Sequence, residues 1–116
     1  MTWEVVQAIA LAFPGTEEST SYGTPSFKVA GRIVTRLRAE DDSLVFLDVN
    51  FDGREVLLEA DPVTFHITPH YKDHPVILAR LAEVHSGTVT SFLERRWRSV
   101  APRRLVKLYD ARSRLT

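Results

Sequence analysis

The stretch from Gly23 to Ile33 constrains the fold more than any other part of the chain. Polar Ser26 and Lys28 alternate along it with apolar Phe27 and Val29. A period of two is typical of a strand that has one buried face and one solvated face. A glycine then supplies a tight turn into a second segment with strand character. The stretch therefore predicts two neighbouring antiparallel strands, and the rest of the chain has to complete and cover the sheet that they begin.

The remaining periodicity predicts three further strands and the helices that cover them. The predicted strands span residues 26–30, 32–38, 44–49, 64–68 and 76–81. Residues Thr16 to Tyr22 predict a connecting loop, which could include a short extended piece. Helical spacing predicts a first helix capped by Thr2, a short second helix over 52–60, and one or two helices after residue 87. The order α-β-β-β-α-β-β-α(α) predicts an α+β fold, a single domain over residues 1–116 with a mostly antiparallel five-stranded sheet covered by helices.

Two local patterns give expectations about which side chains are buried. In the strand over 32–38, one predicted face carries Ile33, Thr35 and Leu37, and the other carries Arg32, Val34, Arg36 and Arg38. In the second helix, Asp52 is the predicted N-cap, and the predicted buried residues are Val56, Leu57 and Ala60.

Composition excludes several classes of function. The chain has 116 residues and no cysteine, which excludes disulfides, thiolate catalysis and cysteine-ligated zinc or iron–sulfur sites. No secretory signal is visible, and no apolar run approaches the roughly 20 residues that span a bilayer. We therefore expect a soluble, cytoplasmic protein without a membrane partner.

Charge is distributed unevenly, although the net charge is zero. Residues 1–85 contain 7 Lys and Arg against 13 Asp and Glu, a net charge of −6, whereas residues 86–116 contain 8 against 2, a net charge of +6. Seven of those eight cations are arginines, whose planar guanidinium suits bidentate recognition of phosphate or carboxylate.

Two interpretations of this basic segment remain open. The cations that lie away from its predicted apolar stripe could form a phosphate-binding surface with strongly salt-dependent affinity. Alternatively, they could belong to a solvated helix pair that balances the acidic remainder of the molecule through surface ion pairs. The candidates are Arg95, Arg98, Arg103, Arg104 and Lys107, with Arg96 as a further option.

Other polar clusters do not predict a catalytic or metal site. Ser26 and Lys28 lie about 6.7 Å apart along one strand face, too far for a nucleophile–base pair, and no oxyanion hole is indicated. His66, His70 and His74 recur every four residues, but Pro69 and Pro75 prevent the helix that would align them. No nucleotide-binding glycine motif is present. We expect no enzymatic activity, no metal and no cofactor.

The chain resembles the MmcQ/YjbR family over almost its whole length. The resemblance is carried by Gly-Thr-Pro-Ser-Phe-Lys-Val-Ala-Gly-Arg-Ile at 23–33, Asp-Pro-Val-Thr-Phe at 61–65, Thr-Pro-His-Tyr at 68–71, and Ala-Pro-Arg-Arg-Leu-Val at 101–106. It implies an α-β3-α-β2-α topology similar to that of secretion chaperones or of frataxin homologues. It also implies binding to double-stranded DNA through a double-wing motif, in which Lys28, Arg32 and the C-terminal arginines would contact phosphates.

Two functional hypotheses follow. The first is a non-catalytic DNA-binding module that uses the cations named above as positioning contacts rather than base readers. The second is a protein- or ligand-binding module, a monomer or a homodimer, that uses an exposed sheet face or a helical groove as secretion chaperones do. The first predicts binding that falls steeply with salt, and the second predicts binding with little dependence on salt.

Overall fold

The computed structural model describes residues 1–114. Thr2 caps the first helix as predicted, because its side chain accepts a hydrogen bond from the Val5 amide at 3.3 Å. The elements in chain order are α1 (Trp3–Leu11), β1 (Thr16–Ser21), β2 (Thr24–Val29), β3 (Arg32–Arg38), β4 (Ser43–Leu47), α2 (Phe51–Ala60), β5 (Phe65–His66), β6 (Val76–Arg80), α3 (Ser86–Val100) and α4 (Arg103–Arg114), with a 3-10 turn at Pro69–Tyr71 before β6.

The six strands form one antiparallel sheet in the order β1-β2-β3-β4-β6-β5. The predicted α+β class and the antiparallel arrangement are confirmed. The predicted strand number is wrong by one, since the segment assigned to a loop over 16–22 contains β1. Its sequence Thr-Glu-Glu-Ser-Thr-Ser has no apolar residue. An edge strand held mainly by backbone hydrogen bonds to β2 therefore leaves no hydrophobic pattern to detect.

The main core lies between one face of the sheet and the helices α1 and α3. Its largest fully buried side chains include Trp97, Phe27 and Phe46. Trp97 also donates its indole N–H to the Pro14 carbonyl at 3.1 Å, which ties α3 to the turn after α1. Leu105, Val106 and Tyr109 of α4 pack on the same core from its rim, and α4 itself has no buried residue.

A β-bulge changes the face that Val34 occupies. Lys28 pairs with Ile33 but Phe27 pairs with Thr35, so Val34 is an extra residue in β3. Val34 and Thr35 are both fully buried. The predicted grouping is therefore wrong for Val34, which joins Leu37 at the main core, and for Ile33, which lies on the face of Arg36 and Arg38. Strict alternation holds only where the register is unbroken.

The second helix begins earlier than predicted, and it buries a different side chain. Asn50 is the N-cap, and its side chain accepts a hydrogen bond from the Gly53 amide at 2.6 Å. Val56 and Ala60 are exposed, whereas Arg54 is 4% exposed. The predicted cap at Asp52 and the predicted burial of Val56 and Ala60 are wrong. Leu57, the third predicted residue, packs half-buried against the core, as Leu58 does.

The other face of the sheet is largely uncovered. A small apolar cluster of Val45, Tyr71, Val76 and Leu78, with Leu47 beside it, lies there beneath the 69–75 loop. Within residues 1–114, no helix combines the length and the apolar character needed to cross a membrane.

Candidate functional site

One predicted cation, Arg98, is engaged within the molecule. It forms ion pairs with Glu94 of its own helix at 3.2 Å and with Asp110 of α4 at 2.7 Å. Tyr109 donates its hydroxyl hydrogen to Glu94 at 2.7 Å, and the Arg98 guanidinium lies over the Tyr109 ring. Hydrogen bonding by Arg98 lowers the pKa of Asp110. Burial, followed by the hydrogen bond to Glu94, raises the pKa of Tyr109. Arg98 therefore helps to hold α4 against α3.

Four other predicted cations point into solvent. Arg95 on α3 and Arg103, Arg104 and Lys107 on α4 are exposed. In the part of the chain that the structure describes, no carboxylate lies within ion-pair distance of any of them. The first turn of α4 contains no acidic residue, and it begins with the two arginines.

The two cations from the first hairpin lie on opposite faces of the sheet. Lys28 pairs with Ile33, whereas Arg32 pairs with the neighbouring Val29. Leu105 of α4 packs closely on Gly15. A Cβ atom added to Gly15 would lie 2.5 Å from Leu105 Cδ1 and 3.6 Å from Val29 Cγ2. Arg32 and the start of α4 therefore share one end of the molecule, and Lys28 points away from their face.

The uncovered sheet face contains a pocket that the sequence did not predict. Its volume is about 720 Å³, and Val45, Leu47 and Val76 contribute apolar surface to it. Polar groups converge on it from β3, α3, the β1–β2 turn and the 69–75 loop. Three arginines line it: Arg36, Arg38 and Arg96. The sequence feature that could have indicated this pocket is the pair of arginines in β3, Arg36 and Arg38, which share one predicted strand face.

The three arginines differ in how their charge is balanced. Arg38 forms ion pairs with Glu40 at 3.2 Å and Asp41 at 3.1 Å. Arg96 donates to Asp48 at 3.0 Å and to the Ile33 carbonyl at 2.8 Å. In contrast, Arg36 donates to the Tyr71 hydroxyl at 2.6 Å. Its guanidinium lies over the Tyr22 ring, with Arg36 Cζ 4.9 Å from the ring centroid.

A buried arginine holds one side of this pocket. Arg54 donates to the carbonyls of Tyr71, Lys72, His74 and Val76 at 2.8–3.3 Å. These four hydrogen bonds fix the 69–76 segment, which carries Tyr71 into the pocket. Neither periodicity nor a motif predicts this role, since an arginine in a polar helix ordinarily faces solvent.

The histidines do not converge on one site. His66 in β5 contacts Ser43 at 2.8 Å, whereas His70 and His74 lie at the pocket rim with ring centroids 5.9 Å apart. Within residues 1–114, no three His, Asp or Glu side chains are grouped closely enough to hold a metal ion.

Neither Ser26 nor Ser43 has the surroundings of a catalytic nucleophile. Ser43 and Asp41 approach the same nitrogen of His66, Nε2, whereas a catalytic triad uses both ring nitrogens. Ser43 is fully buried as well. Ser26 is 1% exposed, and its hydroxyl hydrogen-bonds to that of Ser21 at 2.9 Å.

Comparison with known proteins relates the chain to uncharacterised bacterial proteins. It is 29% identical to an uncharacterised protein of Mycobacterium bovis and to one of Mycobacterium tuberculosis, and each alignment covers 97% of this chain and 98% of the relative. No solved structure gives a significant match. The family model for YjbR matches residues 11–99. The predicted family resemblance is thereby confirmed over the matched residues, which include the motifs at 23–33, 61–65 and 68–71, and the chain belongs to the YjbR family.

Proposed function

We propose that the protein is a non-catalytic module that contacts the phosphate backbone of double-stranded DNA through α4 and the adjoining face of α3. The observation that carries this proposal is the start of α4. Arg103 and Arg104 occupy its first turn, both are exposed, and neither has a carboxylate partner within residues 1–114.

The position of these arginines is electrostatically unfavourable in the free protein. The first turn of a helix carries partial positive charge and favours acidic side chains by about 0.3–1 kcal/mol each. Leu105 and Val106 donate to the Pro102 carbonyl, whereas the amides of Arg103 and Arg104 have no intrahelical acceptor. An anion bound there would accept from free amides and guanidinium groups together.

The spread of the cations favours a polyanion over a small anion. Lys107 lies one turn beyond Arg103, about 6 Å along the helix axis. Arg95 extends the set onto α3, and Arg32 lies at the same end of the molecule as the start of α4. Such contacts position a duplex without reading its bases, so we expect affinity that depends weakly on sequence.

The test is duplex DNA binding measured by fluorescence anisotropy across a salt series. We expect the double substitution Arg103→Gln with Arg104→Gln to weaken binding at low salt. It should also reduce the slope of log affinity against log salt by about 1.8, because each lost phosphate contact removes about 0.9.

The matched control is Arg112→Gln with Arg114→Gln, which removes the same charge from the last turn of α4. It should change the slope less. Absence of binding by the unmodified protein at low salt would refute the proposal, as would equal slopes for the two double variants.

A further inference from the structure

The pocket on the uncovered sheet face lies apart from α4, the helix that carries the proposed DNA contacts Arg103 and Arg104. It lies beside the small apolar cluster of β4 and β6, whereas α4 packs against the main core on the other side of the sheet. Its volume of about 720 Å³ falls within the range of about 300–1,000 Å³ that is typical of small-molecule sites. Its apolar surface with a few convergent polar groups is also typical of such sites.

Arg36 is the polar group that gives the pocket a preference for an anionic ligand. Within residues 1–114 it has no ion pair, and one of its nitrogens donates to Tyr71. Guanidinium has five N–H donors in a fixed plane, so most of them remain available. Tyr22 under one face and the Tyr71 hydroxyl at the edge orient that plane. An oriented guanidinium that forms no ion pair among the described residues is suited to bidentate hydrogen bonding with an oxyanion.

The charge of the lining limits the charge of the ligand. The ionisable side chains that line the pocket include three arginines, Arg36, Arg38 and Arg96, and two carboxylates, Glu40 and Asp48. Arg38 pairs with Glu40 and Asp41, and Arg96 pairs with Asp48, so among these arginines only Arg36 has a charge without a carboxylate partner within residues 1–114. A single carboxylate would match it, whereas a phosphate dianion would leave one negative charge unbalanced in a partly desolvated site.

The surroundings of Arg36 also define the body of the ligand. Val45, Leu47 and Val76 offer apolar surface, and Tyr22, whose side chain is 84% exposed, offers an aromatic ring at the mouth. The hydrogen bonds from Arg54 fix the segment that carries Tyr71, so little ordering is needed on binding. We infer that this pocket binds a flat, mainly apolar monocarboxylate, with the carboxylate on Arg36 and an aromatic or similar body over β4 and β6.

The test is an NMR titration of the full chain, in which backbone amide shifts are followed on addition of defined probes. Benzoate and indole-3-acetate are the flat monocarboxylates. Benzyl alcohol and indole-3-ethanol are their neutral counterparts, and phenyl phosphate supplies the dianion. We expect the carboxylates to shift resonances in β3, β4 and residues 69–76, and to bind about tenfold or more tightly than the neutral probes.

Variants assign the effect to Arg36. Arg36→Gln should weaken benzoate binding about tenfold or more, and Tyr71→Phe, which removes the orienting hydroxyl, should weaken it less. Arg95→Gln is the matched control, because Arg95 also lacks a carboxylate partner in the described residues but does not line the pocket. Amide spectra of each variant establish that it is folded.

Several outcomes would overturn the inference. These are equal affinity for carboxylate and neutral probes, tighter binding of phenyl phosphate than of benzoate, shifts confined to α4, or no response to either carboxylate. Unchanged benzoate affinity in folded Arg36→Gln would also overturn it. None of these results bears on the DNA proposal, whose variants lie on the opposite face.

Discussion

No carboxylate within residues 1–114 pairs with the buried Arg54, and backbone carbonyls stabilise its charge instead. The four carbonyls that accept from it come from one short segment, residues 71–76, and its guanidinium also lies over the Phe51 ring at 4.8 Å. Its Nε has no acceptor among the described residues. Loss of this side chain would leave several carbonyls in a partly dry environment, where an unsatisfied polar group costs more than its hydrogen bond contributes.

We predict that Arg54→Met lowers the free energy of unfolding by about 3 kcal/mol, since several buried acceptors each lose a charged donor. Arg54→Lys should recover only part of this, because one ammonium cannot reproduce the planar set of donors. Urea unfolding measures both. The control is Arg80→Met, which removes an arginine that donates to the exposed carbonyls of Pro62 and Val63; it should cost under about 1 kcal/mol. Similar losses for Arg54→Met and Arg80→Met would contradict the assigned role.

At the scale of elements, the sequence predicted those whose burial has a regular period. α1 and α3 were predictable because their apolar stripes follow the helical period, and β2 because Phe27 and Val29 alternate with polar residues. β1 was not predictable, since its pairing with β2 depends on backbone hydrogen bonds that any sequence can make. The bulge at Val34 was not predictable either, because the register depends on how β2 and β3 meet, which is a tertiary property.

The attachment of α4 depends on a small polar network as well as on apolar contacts. We predict that Arg98→Gln lowers stability by about 0.5–1 kcal/mol, a modest figure because all three charged partners are more than a third exposed. Amide hydrogen exchange should become faster in residues 103–114 and remain unchanged in the sheet. High salt should reduce the difference from the unmodified protein by screening the ion pairs.

Arg95→Gln is the control for this prediction, because it removes a neighbouring charge that has no carboxylate partner within residues 1–114. It should leave exchange in α4 unchanged. Equal acceleration in the two variants would mean that the Glu94–Arg98–Asp110 network does not hold α4 in place.

For the whole molecule, fold class was easier to predict than the site. Composition and periodicity predicted a mostly antiparallel sheet covered by helices, and the family resemblance supported the same order of elements. The pocket combines residues distant in sequence, such as Arg36 with Tyr71, and it exists because the other sheet face is left open. No local sequence pattern indicates which cations will form ion pairs with carboxylates. Arg98 and Arg103 were equivalent in the sequence, yet only Arg98 has carboxylate partners among the described residues.

The stability of the whole molecule should fall in two stages as the pH is lowered. Burial, followed by the nearby Arg80, lowers the pKa of His66, and this outweighs the opposing effect of Asp41 at 3.7 Å. The unfolded chain therefore binds more protons than the folded protein below about pH 6.5, so the free energy of unfolding decreases from there until the pH is below the folded pKa. Burial opposes ionisation of Asp48, but hydrogen bonds from Ser99 and Arg96 lower its pKa. The stability that ionised Asp48 contributes is therefore lost in a second stage, below about pH 4.

We predict that His66→Gln reduces the loss of stability between about pH 7.5 and about pH 5. The loss below about pH 4 should be unchanged. Only the first of these two losses depends on a histidine that is protonated more readily in the unfolded chain. Urea unfolding at a series of pH values measures this. His85→Gln, at an exposed histidine just before α3, should retain the full dependence. If His66→Gln and the unmodified protein lost equal stability over that interval, burial of His66 would not be the cause, and the first stage would have to arise from another group.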